Sequence, residues 1–169
     1  VERVGREIVE AGFGEVIFVG GEPLLSPELP AAIGALAGRC QVAVFTGGLP
    51  GPLDRPLAAL GGGVDRVVLS IDSGQASLND LIRGRRGVSD DLVRLAVALR
   101  RRDPGLGLSV NTVVSRQNVD TVASVWERMR PLGLASWSLT LAGDNFRGTP
   151  AGSWLSRRQV EIGLVPLGA

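Results

Sequence analysis

Five short runs of β-branched and aliphatic residues, Val16–Val19, Val42–Phe45, Val67–Ile71, Leu108–Val114 and Ser136–Leu141, recur along the chain and leave few folds open. Each reads as a strand buried on both faces. Between them, Val1–Ala11, Glu28–Ala37, Leu53–Leu60, Asp90–Arg102 and Val119–Arg130 place apolar residues three and four apart, as Leu92, Leu95, Ala96 and Leu99 do, which is the period of a helix with one buried face. Asp120 in a first turn and Arg100-Arg101-Arg102 in a last one suit the helix dipole. A final helix is expected from Ser156, whose hydroxyl would cap Arg157–Leu164. Strands alternating with helices must run parallel with right-handed crossovers, so the fold class is α/β. An open doubly wound sheet and a partial barrel both satisfy the pattern. No linker or low-complexity tract divides residues 1–169, which are expected to form one domain.

In parallel α/β folds ligands gather at the C-terminal ends of the strands. Here those ends are polar and rich in glycine: Gly20-Gly21-Glu22-Pro23, Thr46-Gly47-Gly48, Ser70-Ile71-Asp72-Ser73, Asn111 through Ser115-Arg116, and Ala142-Gly143-Asp144-Asn145. Gly20-Gly21 lets the backbone turn sharply and come close to a ligand, while Glu22 adds an anionic acceptor. Carbonyls and a carboxylate suit an ammonium group; a phosphate would call for N–H donors at a helix start and no acid. A tight turn with a solvated Glu is the equal alternative on these residues alone.

Composition removes whole classes of chemistry. The chain has no histidine and no tyrosine, and all of its 18 basic residues are arginine. Histidine-dependent triads and metal sites, and Schiff-base lysines, are therefore excluded, which leaves Asp, Glu and Cys40 to move protons. A net charge of +1 exerts no long-range pull on nucleic acid. No apolar stretch nears the roughly 20 residues that a membrane helix requires. One cysteine builds no disulfide framework and fits a reducing compartment, so a cytoplasmic location is expected. Cys40 itself, at the approach to the second strand and away from the ligand face, reads as a small buried hydrophobe.

Val16-Ile17-Phe18-Val19-Gly20-Gly21-Glu22-Pro23-Leu24-Leu25 resembles the GGEP strand and loop of radical S-adenosylmethionine (SAM) enzymes. Phe45-Thr46-Gly47-Gly48 is similar to that family's strand ending in Thr-Asn-Gly, with Gly47 where Asn is usual. Val68 to Ser73 and Leu81 to Gly87 resemble its Ser-x-Asp strand and Arg-Gly-x-x-Gly turn, and Asn111 to Asn118 its fifth barrel strand. The resemblance implies a partial (β/α) TIM-like barrel whose first strand, with a Cys-x-x-x-Cys-x-x-Cys loop, would precede Val1. It also implies SAM and a [4Fe–4S] cluster as cofactors, and reductive cleavage of SAM to a 5′-deoxyadenosyl radical. The cluster motif is absent, and one cysteine cannot supply its ligands. Metal ligands are accordingly not expected here, and no catalytic residue is assigned.

Carried over position by position, the resemblance gives Gly20, Gly21 and Glu22 the SAM amino group and gives Ser70 the ribose; Thr46 belongs to the same rim. Arg83 would pair with the SAM carboxylate, Asp72 would bind ribose or brace its strand end, and Asn111 and Ser115 would face ribose or carboxylate. Trp126 and Trp137 read first as packing residues, with an adenine border as the second reading for Trp137. The loop Asp144–Gly152 would touch substrate, which is a peptide or small molecule left open by these residues. An exposed parallel edge would invite association. Two rivals remain: a noncatalytic SAM- or nucleotide-binding domain without a cluster, and a phosphate-binding enzyme, against which Glu22 and the missing lysine and GxGxxG turn weigh.

Overall fold

The computed structural model describes residues 2–142 and Leu155. The expected helix from Ser156 and the Asp144–Gly152 loop lie outside these residues. The elements are α1 (Glu2–Glu10), β1 (Glu15–Phe18), α2 (Leu29–Leu36), β2 (Gln41–Thr46), α3 (Asp54–Leu60), β3 (Arg66–Ser70), α4 (Ala76–Ile82), α5 (Val88–Arg102), β4 (Gly107–Val114), α6 (Ala123–Met129) and β5 (Ser136–Leu141). Three 3₁₀ turns, Pro23–Leu25, Val119–Thr121 and Arg130–Leu132, join them.

All four strand pairings are parallel, and the spatial order is β1-β2-β3-β4-β5. This order decides between the two architectures that the sequence leaves open. A doubly wound sheet reverses direction partway and receives helices on both faces; right-handed crossovers that step one way put every helix on one side. The result is a half-barrel with a helix-covered outer face and a concave inner face that no helix among the described residues covers. Val42, Val44, Val67, Leu69, Leu108 and Val110 fill the outer face and are essentially inaccessible, packed with Ile33, Leu92, Leu95 and Leu99 from the helices. Strand alternation turns the residues between them inward, where Ile17, Ala43, Arg66 and Gly107 form one row and Ser70, Asn111 and Ser138 another.

Burial on both faces holds for the middle of β2 and β3 but fails at the edges. Ile17 on β1 is 44% exposed, and Leu139 and Leu141 on β5 are 39% and 48% exposed. Hydrophobic runs report the strand, whereas burial depends on neighbours that an edge strand lacks on one side.

Helix α4 escapes the apolar-period test because its pattern is inverted: Asn79 is fully buried and Leu81 is 71% exposed. Asn79 goes inside because its Oδ1 accepts the N–H groups of Asp72 and Ser73, which end β3. The helix expected over Val119–Arg130 is instead a 3₁₀ turn followed by α6. There Thr121 Oγ1 donates to Asn118 O and Ser124 Oγ to Thr121 O, and such local back-bonding disturbs the regular helical ladder.

Trp126 and Trp137 stack with ring centroids 6.4 Å apart and planes 12° apart. Trp137 pairs in register with buried Val110, which sets it on the outer face, and its Nε1 donates to Thr112 Oγ1 at 2.9 Å. Its surroundings are those of a packing residue, although Trp126 keeps 43% exposure. Cys40 is half-buried against the core at the N-terminal end of β2, with its Sγ 3.8 Å from Leu36 O.

Candidate functional site

The loop after β1 bends at Gly20, whose φ of 124° is open to glycine but strained for other residues. Both Gly20 and Gly21 are exposed, and an added Cβ at either would meet nothing within 4 Å. Glu22 then caps the turn Pro23–Leu25, its Oε1 accepting Leu24 N at 3.2 Å. The same oxygen accepts the Thr46 hydroxyl at 2.8 Å, and Oε2 accepts Gly47 N at 2.8 Å. A carboxylate has about four acceptor positions, so three bonds leave room for a further donor. Glu22 is therefore neither a freely solvated turn residue nor fully engaged.

Thr46 is 1% exposed and pairs in register with Leu69, so its side chain lies on the outer, packed side of β2. It reaches the site through Glu22, and its Oγ1 also accepts Gly48 N at 2.9 Å. Ser70 and Asn111 are register partners on the inner face and are partly exposed there. Asn111 Oδ1 accepts the Thr140 hydroxyl at 3.1 Å, and farther down the same face Ser136 and Ser109 share a hydroxyl hydrogen bond of 2.9 Å. The inner surface over β4 and β5 is thus lined with neutral hydrogen-bonding groups.

Asp72, 2% exposed, is a bracing residue by its contacts. Its Oδ1 accepts Val113 N at 2.8 Å, and its carbonyl accepts Asn118 Nδ2 at 2.7 Å, which ties the end of β3 to β4. Its Oδ2 pairs with Arg83 Nη1 at 3.3 Å. Arg83 follows α4 and carries its guanidinium back over Gly47. Ser115 is almost buried, accepts Gln117 N at 3.2 Å and gives its own N–H to Asn118 Oδ1 at 2.7 Å, so its contacts build the turn after β4.

Glu22, Thr46, Gly47, Asp72 and Arg83 accordingly form one connected group across the ends of β1, β2 and β3. Ser70 and Asn111 lie on the inner face beside it. Ser115 sits in a closed turn.

Three supporting residues were missed in the sequence. Asn79 and Asn118 anchor Asp72 from two sides, and Asn118 stands three residues after Ser115, the spacing at which a side chain closes a turn. Asp80 holds the Arg-Gly-x-x-Gly turn: its oxygens accept Gly87 N and Ser89 N at the start of α5. Burial pushes this carboxyl up, but those two bonds and the charges of Arg85 and Arg128 outweigh it and leave the pKa below the ordinary carboxylate value.

Two cations, Arg83 and Arg85, and two carboxylates, Glu22 and Asp72, border these loops; Arg83 pairs with Asp72, and Arg85 reaches Gly48 O while pairing with Asp91. A [4Fe–4S] cluster is a different matter. Among the described residues no three His, Cys, Asp or Glu side chains converge as metal ligands, and the chain's single cysteine lies at the opposite end of the strands. These residues do not hold a cluster.

The chain is 30% identical over 146 residues to an AdoMet-dependent heme synthase of Methanosarcina barkeri, covering 84% of this chain and 40% of that one. It is 37% identical over 111 residues to a GTP 3',8-cyclase of a Mycobacterium species, covering 63% and 31%. The chain therefore spans less than half the length of these relatives. Among solved structures, Streptococcus suis SuiB bound to its precursor peptide SuiA superposes with a TM-score of 0.77 at 18% identity, over 95% of this chain and 37% of that one, a likeness of fold. Residues 1–143 match the family model of the Radical SAM superfamily, and the chain belongs to that superfamily.

Proposed function

We propose that this chain is the SAM-binding core of a radical SAM enzyme and that its part in the reaction is to bind and orient SAM. The observation that carries this reading is the placement of the Glu22 carboxylate and the Arg83 guanidinium together beside Gly47. The ammonium of the methionyl end would take the acceptor position left on Glu22, with the carbonyls of the Gly20-Gly21 loop beside it. The carboxylate would meet Arg83, whose planar fork matches two oxygens at once. Ser70 and Asn111, on the inner face next to this group, suit the ribose hydroxyls, and Asp72 acts by holding Arg83.

When bound with a cluster, SAM supplies the radical chemistry. The cluster ligands would come from cysteines outside these 169 residues. The contributions of this chain are a fixed seat for the charged end of SAM and a concave inner face along which substrate lies. The neutral, accessible groups of Asn111, Ser136 and Ser138 fit groups such as peptide amides better than they fit a phosphate or carboxylate. SuiB, whose fold is similar, is known bound to a peptide, which supports a peptide as substrate class.

The test is titration of the chain with SAM by calorimetry, with ATP as the competing probe. One-to-one SAM binding that is absent for ATP supports the reading. Protection from thermal unfolding by ATP and not by SAM would overturn it in favour of a phosphate site.

A further inference from the structure

Gly47 and Gly48 are both glycine, but for different reasons. Gly48 has φ of 81°, a left-handed conformation that itself favours glycine. Gly47 has no positive φ, so its backbone would accept other residues. What its position lacks is space. A Cβ there would stand 2.8 Å from Arg83 Nη2, 3.9 Å from Arg83 Cζ and 3.5 Å from Glu22 Oε2. The volume that a side chain at position 47 would fill is taken by the Arg83 guanidinium.

That guanidinium is held from its other edge as well. Nη1 lies 3.3 Å from Asp72 Oδ2, and Asp72 is itself fixed by Val113 N, Asn79 Oδ1 and Asn118 Nδ2. The guanidinium is paired with Asp72 through Nη1 and directs Nη2 into the space over Gly47, so an atom added at position 47 would displace it. We infer that Gly47 is a positioning residue: it admits the Arg83 guanidinium to the ligand face beside Glu22 and, with Asp72, sets the orientation in which Arg83 meets the carboxylate of an amino-acid ligand. This rests on the reading of the site as a SAM seat.

The clash at Gly47 is with the far end of a long side chain, which gives way more readily than backbone. Gly47→Ala should therefore displace Arg83 without unfolding the chain, at a stability cost limited to loosening the pair with Asp72. A merely structural glycine would lose stability and leave Arg83 in place.

The experiment uses the 169-residue chain labelled with ¹⁵N. The Arg83 Nε–H resonance is assigned by its loss in Arg83→Lys. It should shift or broaden in Gly47→Ala and stay in place in Gly62→Ala, where an added Cβ meets nothing within 4 Å. SAM affinity should fall on the order of tenfold in Gly47→Ala, the scale of one charge-assisted contact. In an Arg83→Ala background the same glycine change should cost nothing further, and with Arg83→Lys, whose head lacks the second amino group, it should cost less than in the native chain. An unmoved Arg83 resonance in Gly47→Ala overturns the inference whatever SAM does. So does an equal loss of affinity with and without Arg83. A resonance that moves in a chain that binds no SAM leaves Gly47 as the residue that positions Arg83 and removes the SAM reading instead.

Discussion

Thr46 donates its hydroxyl hydrogen to Glu22 Oε1 at 2.8 Å, although the two are 24 residues apart and belong to successive strand ends. With Gly47 N on the other oxygen, the bond fixes the carboxylate plane before any ligand arrives. Thr46→Val keeps the shape and removes the donor. Because the acceptor is a partly buried carboxylate, the expected cost is about 1.5–3 kcal/mol, read as a lower urea midpoint with an unchanged slope. SAM affinity should fall with it, since Glu22 would keep only its bonds from Leu24 N and Gly47 N and its Oε1 would be less firmly set.

Glu22→Gln removes the charge that an ammonium would meet and keeps a side chain of similar size. SAM affinity should drop roughly ten- to a hundredfold. Asp54→Asn, at an exposed acid in the first turn of α3, should change affinity little, because exposed charges contribute under about 1 kcal/mol and are screened by salt. Calorimetric titration of both variants at moderate ionic strength makes the comparison. Equal affinities would withdraw Glu22 from the site.

After anaerobic reconstitution with iron and sulfide the chain should carry no stoichiometric iron and show no cluster absorption, and Cys40→Ala should behave identically. One half-buried thiol far from the ligand face provides no cluster site. A cluster band that vanishes with Cys40→Ala would refute this.

Asp80 makes stability depend on pH in a defined direction. Its carboxyl binds a proton less readily in the folded chain than in the unfolded one, so its contribution is complete above the unfolded pKa near 3.9 and disappears as pH falls through the lower folded value. Asp80→Asn should cost about 1 kcal/mol at pH 7, the scale of a lost helix cap on a partly solvated group. The gap from the native chain should narrow in urea titrations as pH falls below 4. A gap that stayed constant down to pH 2 would show that the charge on Asp80 does not matter.

Gly74 lies against α6, and a Cβ there would come within 2.0 Å of the Ser124 carbonyl oxygen, which is backbone and cannot swing away. Gly74→Ala should destabilise by about 2–3 kcal/mol, as overpacking does, while Gly62→Ala should have little effect. Thermal unfolding of the two variants separates them directly.

The α/β class, the five strands to within about two residues, and the polar strand ends could be read from residues 1–142 because hydrophobic periodicity reports which side of an element is buried. The same periodicity placed Glu22, Thr46 and Asp72 at or just past strand ends, whereas Arg83 was singled out only through the resemblance of Leu81 to Gly87 to a family turn. Periodicity is silent where a polar residue takes the core position, so α4 was invisible with Asn79 inside and Leu81 outside. It is also silent on which way successive crossovers step. Only the order β1 to β5 shows that all helices share one face and that the inner face stays open.

The pairing of side chains across elements belongs to tertiary structure too. Glu22 joins Thr46, Asp72 joins Val113, and Arg83 fills the space over Gly47 because strand ends distant in sequence are brought to the same rim. The sequence by itself determined the kinds of groups at that rim. Packing decided which of them touch, because a hydrogen bond or a steric contact depends on a separation of a few ångströms that no linear spacing encodes.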